Sequence, residues 1–140
     1  NFQTIGPDKL NHLRHAKVFN TTEKLFSHMK KHAEVLRPKF EAVLKMFDKE
    51  FSGLDIATWT KPKGGYFISL NLPGGCAKRV HTLCKEGGLV LTGAGATYPY
   101  GIDPNDSNIR IAPSLPPVEE LQQAMEVFTT CLKLAALEKL

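Results

Sequence analysis

The residues best suited to chemistry lie in the segment 108–114, where Arg110 stands between two isoleucines. This segment has the pattern of a short β-strand, and alternation along a strand sends Ile109 and Ile111 to one face and Arg110 to the other. A guanidinium on a mostly apolar strand needs an anionic partner, because an unpaired buried charge is very costly. The planar fork of arginine matches a carboxylate with two parallel hydrogen bonds, so we expect Arg110 to bind a carboxylate.

Two sources of that carboxylate are open from the residues alone. A ligand could supply it, in which case this strand forms part of a binding site. Alternatively, a nearby acid of the chain, Asp103 or Asp106, could form a structural salt bridge with Arg110. The loop 93–107 before the strand is about 15 residues long, which is unusual in a compact domain and favours a functional role.

Helical periodicity dominates the first third of the chain. A short helix is predicted from a start at Gly6-Pro7-Asp8 to near Asn20, and a second helix begins directly after it. Apolar residues then recur at helical spacing until Ser52-Gly53, which predicts one helix of about 30 residues. Pro38 lies inside this helix and removes one backbone donor, so we expect a bend just before it.

The remaining residues alternate between strand and helix patterns. Strands are predicted at 56–60, 66–72, 89–92 and 108–112. Helices are predicted from about Ala77 to an end at Gly87-Gly88 and from Val118 to about Glu138. The predicted fold is therefore α+β, with a small mixed or antiparallel sheet of three to four strands covered by helices and one long interdomain helix. We divide the chain into a linker or large-domain remnant (1–20), a connecting helix (21–52) and a small domain (53–140).

Composition excludes several classes of function. The net charge of +4 is mild and its basic residues are scattered, so we expect no nucleic-acid binding. No apolar run approaches the roughly 18 residues of a membrane span. The three cysteines have unrelated spacings, which fits a reducing compartment, and we expect a cytoplasmic protein.

Other candidate motifs favour ordinary surface or core positions. His28 and His32 are four residues apart on the predicted long helix, a spacing that can hold a metal ion, but no third ligand stands nearby and we expect no metal site. Ser27 and Lys30 imitate a serine–lysine hydrolase signature, yet Lys30 is embedded in the helix pattern. Cys84 falls on an apolar helix face and is expected in the core.

The order of these motifs resembles a known family. The sequences KPKGGYFISL (61–70), GGLVLT (87–92) and NIRIA (108–112), separated by a helix and a long loop and followed by a terminal helix, resemble the carboxyl-terminal small domain of the fold-type I, pyridoxal-phosphate-dependent aminotransferases of class I and II. The resemblance covers nearly all 140 residues. It is strongest to the branch called MocR-like, some of whose members are described as aspartate aminotransferases.

This resemblance implies roles for four residues. Arg110 would bind the α-carboxylate of the substrate, Phe67 would face the active site, and Tyr98 and Tyr100 would border the substrate channel. The family's Schiff-base lysine, the aspartate that pairs with the pyridine nitrogen and the phosphate-binding groups belong to a large domain upstream. The chain starts at Asn1, after the expected lysine, so we expect neither catalytic nor cofactor-binding residues in it and no bound pyridoxal 5'-phosphate.

The sequence therefore predicts a part of an aminotransferase that moves an amino group between an amino acid, with aspartate as one candidate, and a 2-oxo acid. By itself the chain is expected to be inactive. The large domain of the same chain and a second subunit of a homodimer are the expected partners. The alternatives are a lyase or a regulator effector domain of the same fold, and a non-catalytic module that binds a carboxylate or an amino acid.

Overall fold

The computed structural model of the chain describes residues 8–140 and contains helices and short strands in alternation. The elements, in chain order, are α1 (Lys9–Val18), α2 (Thr22–Phe51), β1 (Thr58–Trp59), β2 (Ile68–Asn71), α3 (Ala77–Glu86), β3 (Asn108–Ile111) and α4 (Val118–Leu137), with a 3₁₀ turn at Pro99–Gly101. This architecture confirms the predicted α+β class. The predicted helix start at Gly6-Pro7 lies outside the described residues.

The chain divides into two compact units, Asn1–Arg37 and Pro38–Leu140. In the described part of the first unit, the Asp8 carboxylate accepts a hydrogen bond from the backbone N–H of Asn11 at 3.0 Å and caps α1. The Thr21 hydroxyl accepts one from the backbone N–H of Lys24 at 3.4 Å at the start of α2. No residue of α1 is buried, so capping rather than core packing marks its start.

The second unit contains a three-stranded antiparallel sheet in the order β1-β2-β3. Its central pairing joins Ile68 to Ile111, Ser69 to Arg110 and Leu70 to Ile109. The four apolar residues of these pairs are less than 5% exposed, which confirms that they share the core face. Because side chains alternate along each strand, Ser69 and Arg110 lie on the opposite face.

The core of the second unit collects apolar side chains from the helices and the sheet. Phe47 of α2 packs against Phe128 of α4, with ring centroids 5.9 Å apart, and against Trp59 of β1 at 5.7 Å. The expected burial of Cys84 is confirmed, since none of its surface is exposed. The long helix α2 has 30 residues, as its periodicity predicts.

The prediction of a strand at Leu89–Thr92 is wrong. The backbone N–H of Leu89 donates to the carbonyl of Cys84 at 2.7 Å, and Gly88 has a φ of +83°, which together end α3 in a Schellman-type cap. Leu89 and Leu91 pack partly against the core, whereas Val90 is 87% exposed. The apolar run therefore closes a helix end instead of extending the sheet.

Among residues 8–140, no helix combines the length and apolar character needed to cross a membrane.

Candidate functional site

Arg110 lies in the middle of β3, opposite Ser69 of the central strand, and is partly buried. Its Cζ atom stands 4.2 Å from the centroid of the Phe67 ring, which is the geometry of a cation–π contact. The Nε atom is buried and has no hydrogen-bond partner among the described residues. The structure thus brings two of the predicted site residues, Arg110 and Phe67, into direct contact.

No acid of the described chain pairs with Arg110. The ion pairs found between residues 8 and 140 are Lys49–Glu50, Lys61–Asp48, Arg79–Glu138 and Lys133–Glu50. The two acids that were open as structural partners are engaged elsewhere: Asp103 accepts from backbone N–H groups of its own loop, and Asp106 accepts from the backbone N–H of Lys78 at 3.1 Å. Arg110 therefore forms no salt bridge with Asp103 or Asp106.

Asp103 instead organises the turn that leads into β3. Its two carboxylate oxygens accept hydrogen bonds from the backbone N–H groups of Asn105 (3.0 Å), Ser107 (2.7 Å) and Asn108 (2.8 Å). Burial alone raises the pKa of Asp103, but these N–H donors outweigh it, so the pKa lies below its ordinary value. The ionised carboxylate fixes where β3 begins, two residues before Arg110.

Asn108 locks β3 to the central strand and is a site residue that the sequence did not reveal. Its Nδ2 atom donates to the hydroxyl of Ser69 (3.0 Å), the carbonyl of Leu70 (3.0 Å) and Oδ1 of Asn71 (2.8 Å). Its Oδ1 atom accepts from the Thr97 hydroxyl at 2.7 Å. The side chain is only 8% exposed, so this network holds the register that places Arg110 opposite Ser69.

The two tyrosines predicted for the channel lie in the loop before β3. Tyr98 is half-buried, and its backbone N–H donates to the carbonyl of Gly95 at 2.9 Å. Tyr100 is 98% exposed and has a φ of +58°. At the neck of the loop, a Cβ added to Gly95 would overlap with the carbonyl group of Gly101, so only glycine allows this close backbone approach. Roles for both tyrosines stay predictions.

The donor set on this face suits a carboxylate. It offers one guanidinium with a free buried N–H, an aromatic ring over its plane, and amide and hydroxyl groups that already bond to each other. These groups include no amine for a covalent bond to a carbonyl and no cradle of several donors for a phosphate. These residues alone therefore do not form a site for pyridoxal 5'-phosphate. No cluster of three or more metal-ligating side chains occurs in the described part of the chain.

Comparison with known proteins decides the family. The family model described as aspartate amino-transferase matches residues 1–140. The chain belongs to the aspartate aminotransferase family. This membership agrees with the resemblance found in the motifs of the sequence.

Members of the aspartate aminotransferase family that are similar to the chain include an aspartate aminotransferase of Corynebacterium glutamicum, 52% identical over 134 residues, which cover 96% of the chain and 31% of that protein. A crystal structure of an aspartate transaminase from the same species is 50% identical, with a TM-score of 0.91, and the match covers 99% of this chain and 32% of that one. The chain thus spans about a third of the length of these relatives.

A more distant structure shows the same fold. The α-aminoadipate aminotransferase LysN from Thermus thermophilus, in complex with N-(5'-phosphopyridoxyl)-L-leucine, is 22% identical with a TM-score of 0.69, and the match covers 90% of this chain and 30% of that one. At this identity the likeness supports the architecture alone. The fold described above is therefore also present in that more distant structure.

Proposed function

We propose that this chain is the small domain of a pyridoxal-phosphate-dependent aminotransferase, and that Arg110 binds the carboxylate shared by the amino-acid and 2-oxo-acid substrates. One observation carries the proposal: a member of the aspartate aminotransferase family holds a partly buried guanidinium that has no acid partner in residues 8–140. A structural arginine would be expected to have such a partner, because an uncompensated buried charge is destabilising.

The residues of the chain then act by binding and orienting. The guanidinium of Arg110 donates two parallel hydrogen bonds to the substrate carboxylate, which fixes the direction of the bond that must break. The Phe67 ring, 4.2 Å from the guanidinium carbon, limits the positions that the arginine can take. Closing of the small domain over the substrate excludes water and strengthens this ion pair.

The cofactor and the remaining partners belong to the longer protein in this proposal. Pyridoxal 5'-phosphate would be bound there, as the resemblance of the motifs to the pyridoxal-phosphate-dependent aminotransferases implies. When bound to the longer protein, it would supply the electron sink that the transfer of an amino group requires. A large domain in the same chain, a homodimer and a cytoplasmic location complete the proposal, and aspartate is the amino acid suggested by the names of the relatives. Placement in the MocR-like branch stays a prediction.

The test is Arg110→Lys in the full-length enzyme, with Arg79→Lys as the matched control. Lysine keeps the charge but loses the bidentate fork, so we expect kcat/KM for the amino acid to fall about 10- to 100-fold, because hydrogen bonds to charged groups contribute about 1.5–3 kcal/mol. Cofactor content, read from the visible absorbance, should be unchanged. Arg79 is an arginine of the same unit with its own acid partner, and its variant should keep wild-type kinetics. Unchanged KM and turnover in Arg110→Lys would contradict the proposal that Arg110 binds the substrate carboxylate.

The alternatives make different predictions for the same protein. A binding module without chemistry shows no cofactor absorbance when the protein is purified with pyridoxal 5'-phosphate, yet still binds a carboxylate. A lyase or a regulator effector domain of the same fold shows the absorbance but transfers no amino group to a 2-oxo acid. We also propose that the 140 residues alone do not transaminate, which an assay of this chain with added cofactor checks directly.

A further inference from the structure

His28 and His32 of α2 face each other on the surface of the first unit. Their Nε2 atoms are 2.8 Å apart, the ring centroids are 4.5 Å apart, and both side chains are exposed. One Nε2 must donate a proton and the other accept it, so the two nitrogens point at a common position between them. The pair plays no part in the proposed substrate site, which lies in the second unit.

The separation of these nitrogens is close to that of a metal chelate. Imidazole nitrogens lie about 2.0–2.1 Å from a bound Zn²⁺ ion. Two such bonds at right angles put the nitrogens about 2.9 Å apart, and at a tetrahedral angle about 3.4 Å apart. The observed 2.8 Å therefore needs only a small opening of the rings to admit an ion in place of the shared proton.

Neighbouring rings restrict the pair before any ion binds. Phe19, which follows α1, packs on His28 with ring centroids 4.9 Å apart. Phe19 in turn lies 5.9 Å from the ring of His15, whose Nδ1 donates to the carbonyl of Asn11 at 2.8 Å. A ring held by such packing loses less rotational freedom when it binds a ligand, so the site is partly preorganised.

The charges around the pair oppose a cation only weakly. Lys24 and Lys31 lie four residues before and three residues after His28, within one helical turn. Both are exposed to water, which screens their charge. Imidazole ligands suit late first-row divalent ions, for which affinity rises toward Cu²⁺. They suit Mg²⁺ and Ca²⁺ poorly, because these ions prefer oxygen ligands.

We propose that His28 and His32 form a two-histidine chelate for a late divalent transition-metal ion such as Ni²⁺ or Zn²⁺. The facing Nε2 atoms are the two protein ligands, and water or an anion fills the remaining positions. The residues described contain no third side-chain ligand, so the ion is exposed and exchangeable rather than structural.

Titration of the full chain with NiSO₄, followed by isothermal calorimetry, tests the proposal. Ni²⁺ is the probe because, unlike Cu²⁺, it does not oxidise the free cysteines of the chain. We expect one binding site per chain in the wild-type protein. His28→Ala and His32→Ala should each weaken that site about tenfold or more, since one imidazole cannot chelate.

A relocation variant gives the matched control. The double change Lys30→His with His32→Lys keeps the number of histidines and the net charge, but it moves the second imidazole to a position that does not share a helix face with His28. It should lose the site, while His81→Ala should keep it. Zn²⁺ should shift the imidazole NMR signals of His28 and His32 in the wild-type chain. Wild-type affinity in the relocation variant, or no Ni²⁺ binding at all, would overturn the proposal.

Discussion

Two arginines of the second unit differ in the partner that their guanidinium group contacts. Arg79 of α3 meets both oxygens of Glu138, with Nε–Oε2 at 2.6 Å and Nη2–Oε1 at 2.8 Å. This contact raises the pKa of Arg79 and lowers the pKa of Glu138. Arg110 has the aromatic ring of Phe67 instead of an acid, and its buried Nε is unpaired within residues 8–140.

The difference is that the guanidinium of Arg79 has an acid partner, whereas that of Arg110 has none in residues 8–140. Arg79 and Glu138 pair their opposite charges on the surface through two hydrogen bonds. Arg110 lies in the register of the sheet with its buried Nε unpaired in residues 8–140, as is the buried Nε1 of Trp59, and each unmet donor has a cost in stability. Four predictions, in order of decreasing effect, test this distinction.

The largest effect on stability is expected for Asn108→Ala. This change removes three donated hydrogen bonds and leaves the Leu70 carbonyl and the Thr97 hydroxyl without their partner. We expect the free energy of unfolding to fall by about 2–4 kcal/mol, because each buried polar group left unpaired costs about 1–3 kcal/mol. Urea unfolding of the chain measures this, with the exposed Asn105→Ala as control. A loss below about 0.5 kcal/mol would mean that Asn108 does not hold the register of Arg110.

A smaller effect, on substrate binding, is expected for Phe67→Leu. Leucine fills much of the space but has no ring face, and a cation–π contact at an exposed site contributes about 0.5–1 kcal/mol. We expect KM for the amino acid in the full-length enzyme to rise about two- to fivefold. The control variant Phe67→Tyr keeps the aromatic ring and should have the KM of the wild-type enzyme. Equal kinetics in both variants would show that the contact does not position the guanidinium.

A direct comparison of Arg110→Met with Arg79→Met separates the two arginines by stability. Methionine keeps most of the length of the side chain without its charge. We expect Arg110→Met to change the free energy of unfolding by less than about 0.5 kcal/mol, because it removes an unmet donor together with a weak ring contact. Arg79→Met should lower the stability of the chain, since it leaves Glu138 unpaired. The reverse order in thermal unfolding would contradict the distinction.

The smallest effect concerns acid stability. The pKa of Asp103 is lowered in the folded chain, so its contribution is present at pH values above the ordinary carboxyl pKa of about 3.9 and is lost as the pH falls through the lower folded value. Asp103→Asn should make the urea midpoint less dependent on pH between about 5 and about 3. The exposed Asp55→Asn is the control and should keep the wild-type slope. An unchanged slope in Asp103→Asn would show that the carboxylate does not anchor the turn.

Local patterns predicted the parts of the molecule that are decided locally. The apolar spacing in α2 and the alternation around Arg110 are properties of consecutive residues, and both predictions are confirmed. The apolar run at Leu89–Thr92 was assigned as a strand because a strand and a helix cap that packs on the core both need apolar residues. A strand differs from such a cap only in having a neighbouring strand to pair with, and segments far away in the sequence decide whether that neighbour is present.

The position of Arg110 on a strand was predictable from the sequence, whereas the contacts around it were much less so. The bonds of Asn108 reach residues 37 to 39 positions earlier in the chain, and no local pattern announces such contacts. The sequence likewise did not show that Asp103 forms no ion pair with Arg110. The carboxylate oxygens of Asp103 accept hydrogen bonds from backbone N–H groups of its own turn instead. The convergence of the two Nε2 atoms of His28 and His32 needed side-chain positions, although their spacing was visible.

The close backbone approach of Gly95 to Gly101 has a consequence for how this loop can be re-engineered. The approach of the two glycines closes residues 95–101 into a tight loop, and the Thr97 hydroxyl inside it donates to Oδ1 of Asn108 at 2.7 Å, which ties the loop to the start of β3. Variants of this loop should therefore keep Gly95, Thr97 and Gly101, and a replacement for Tyr100 must tolerate a φ of +58°.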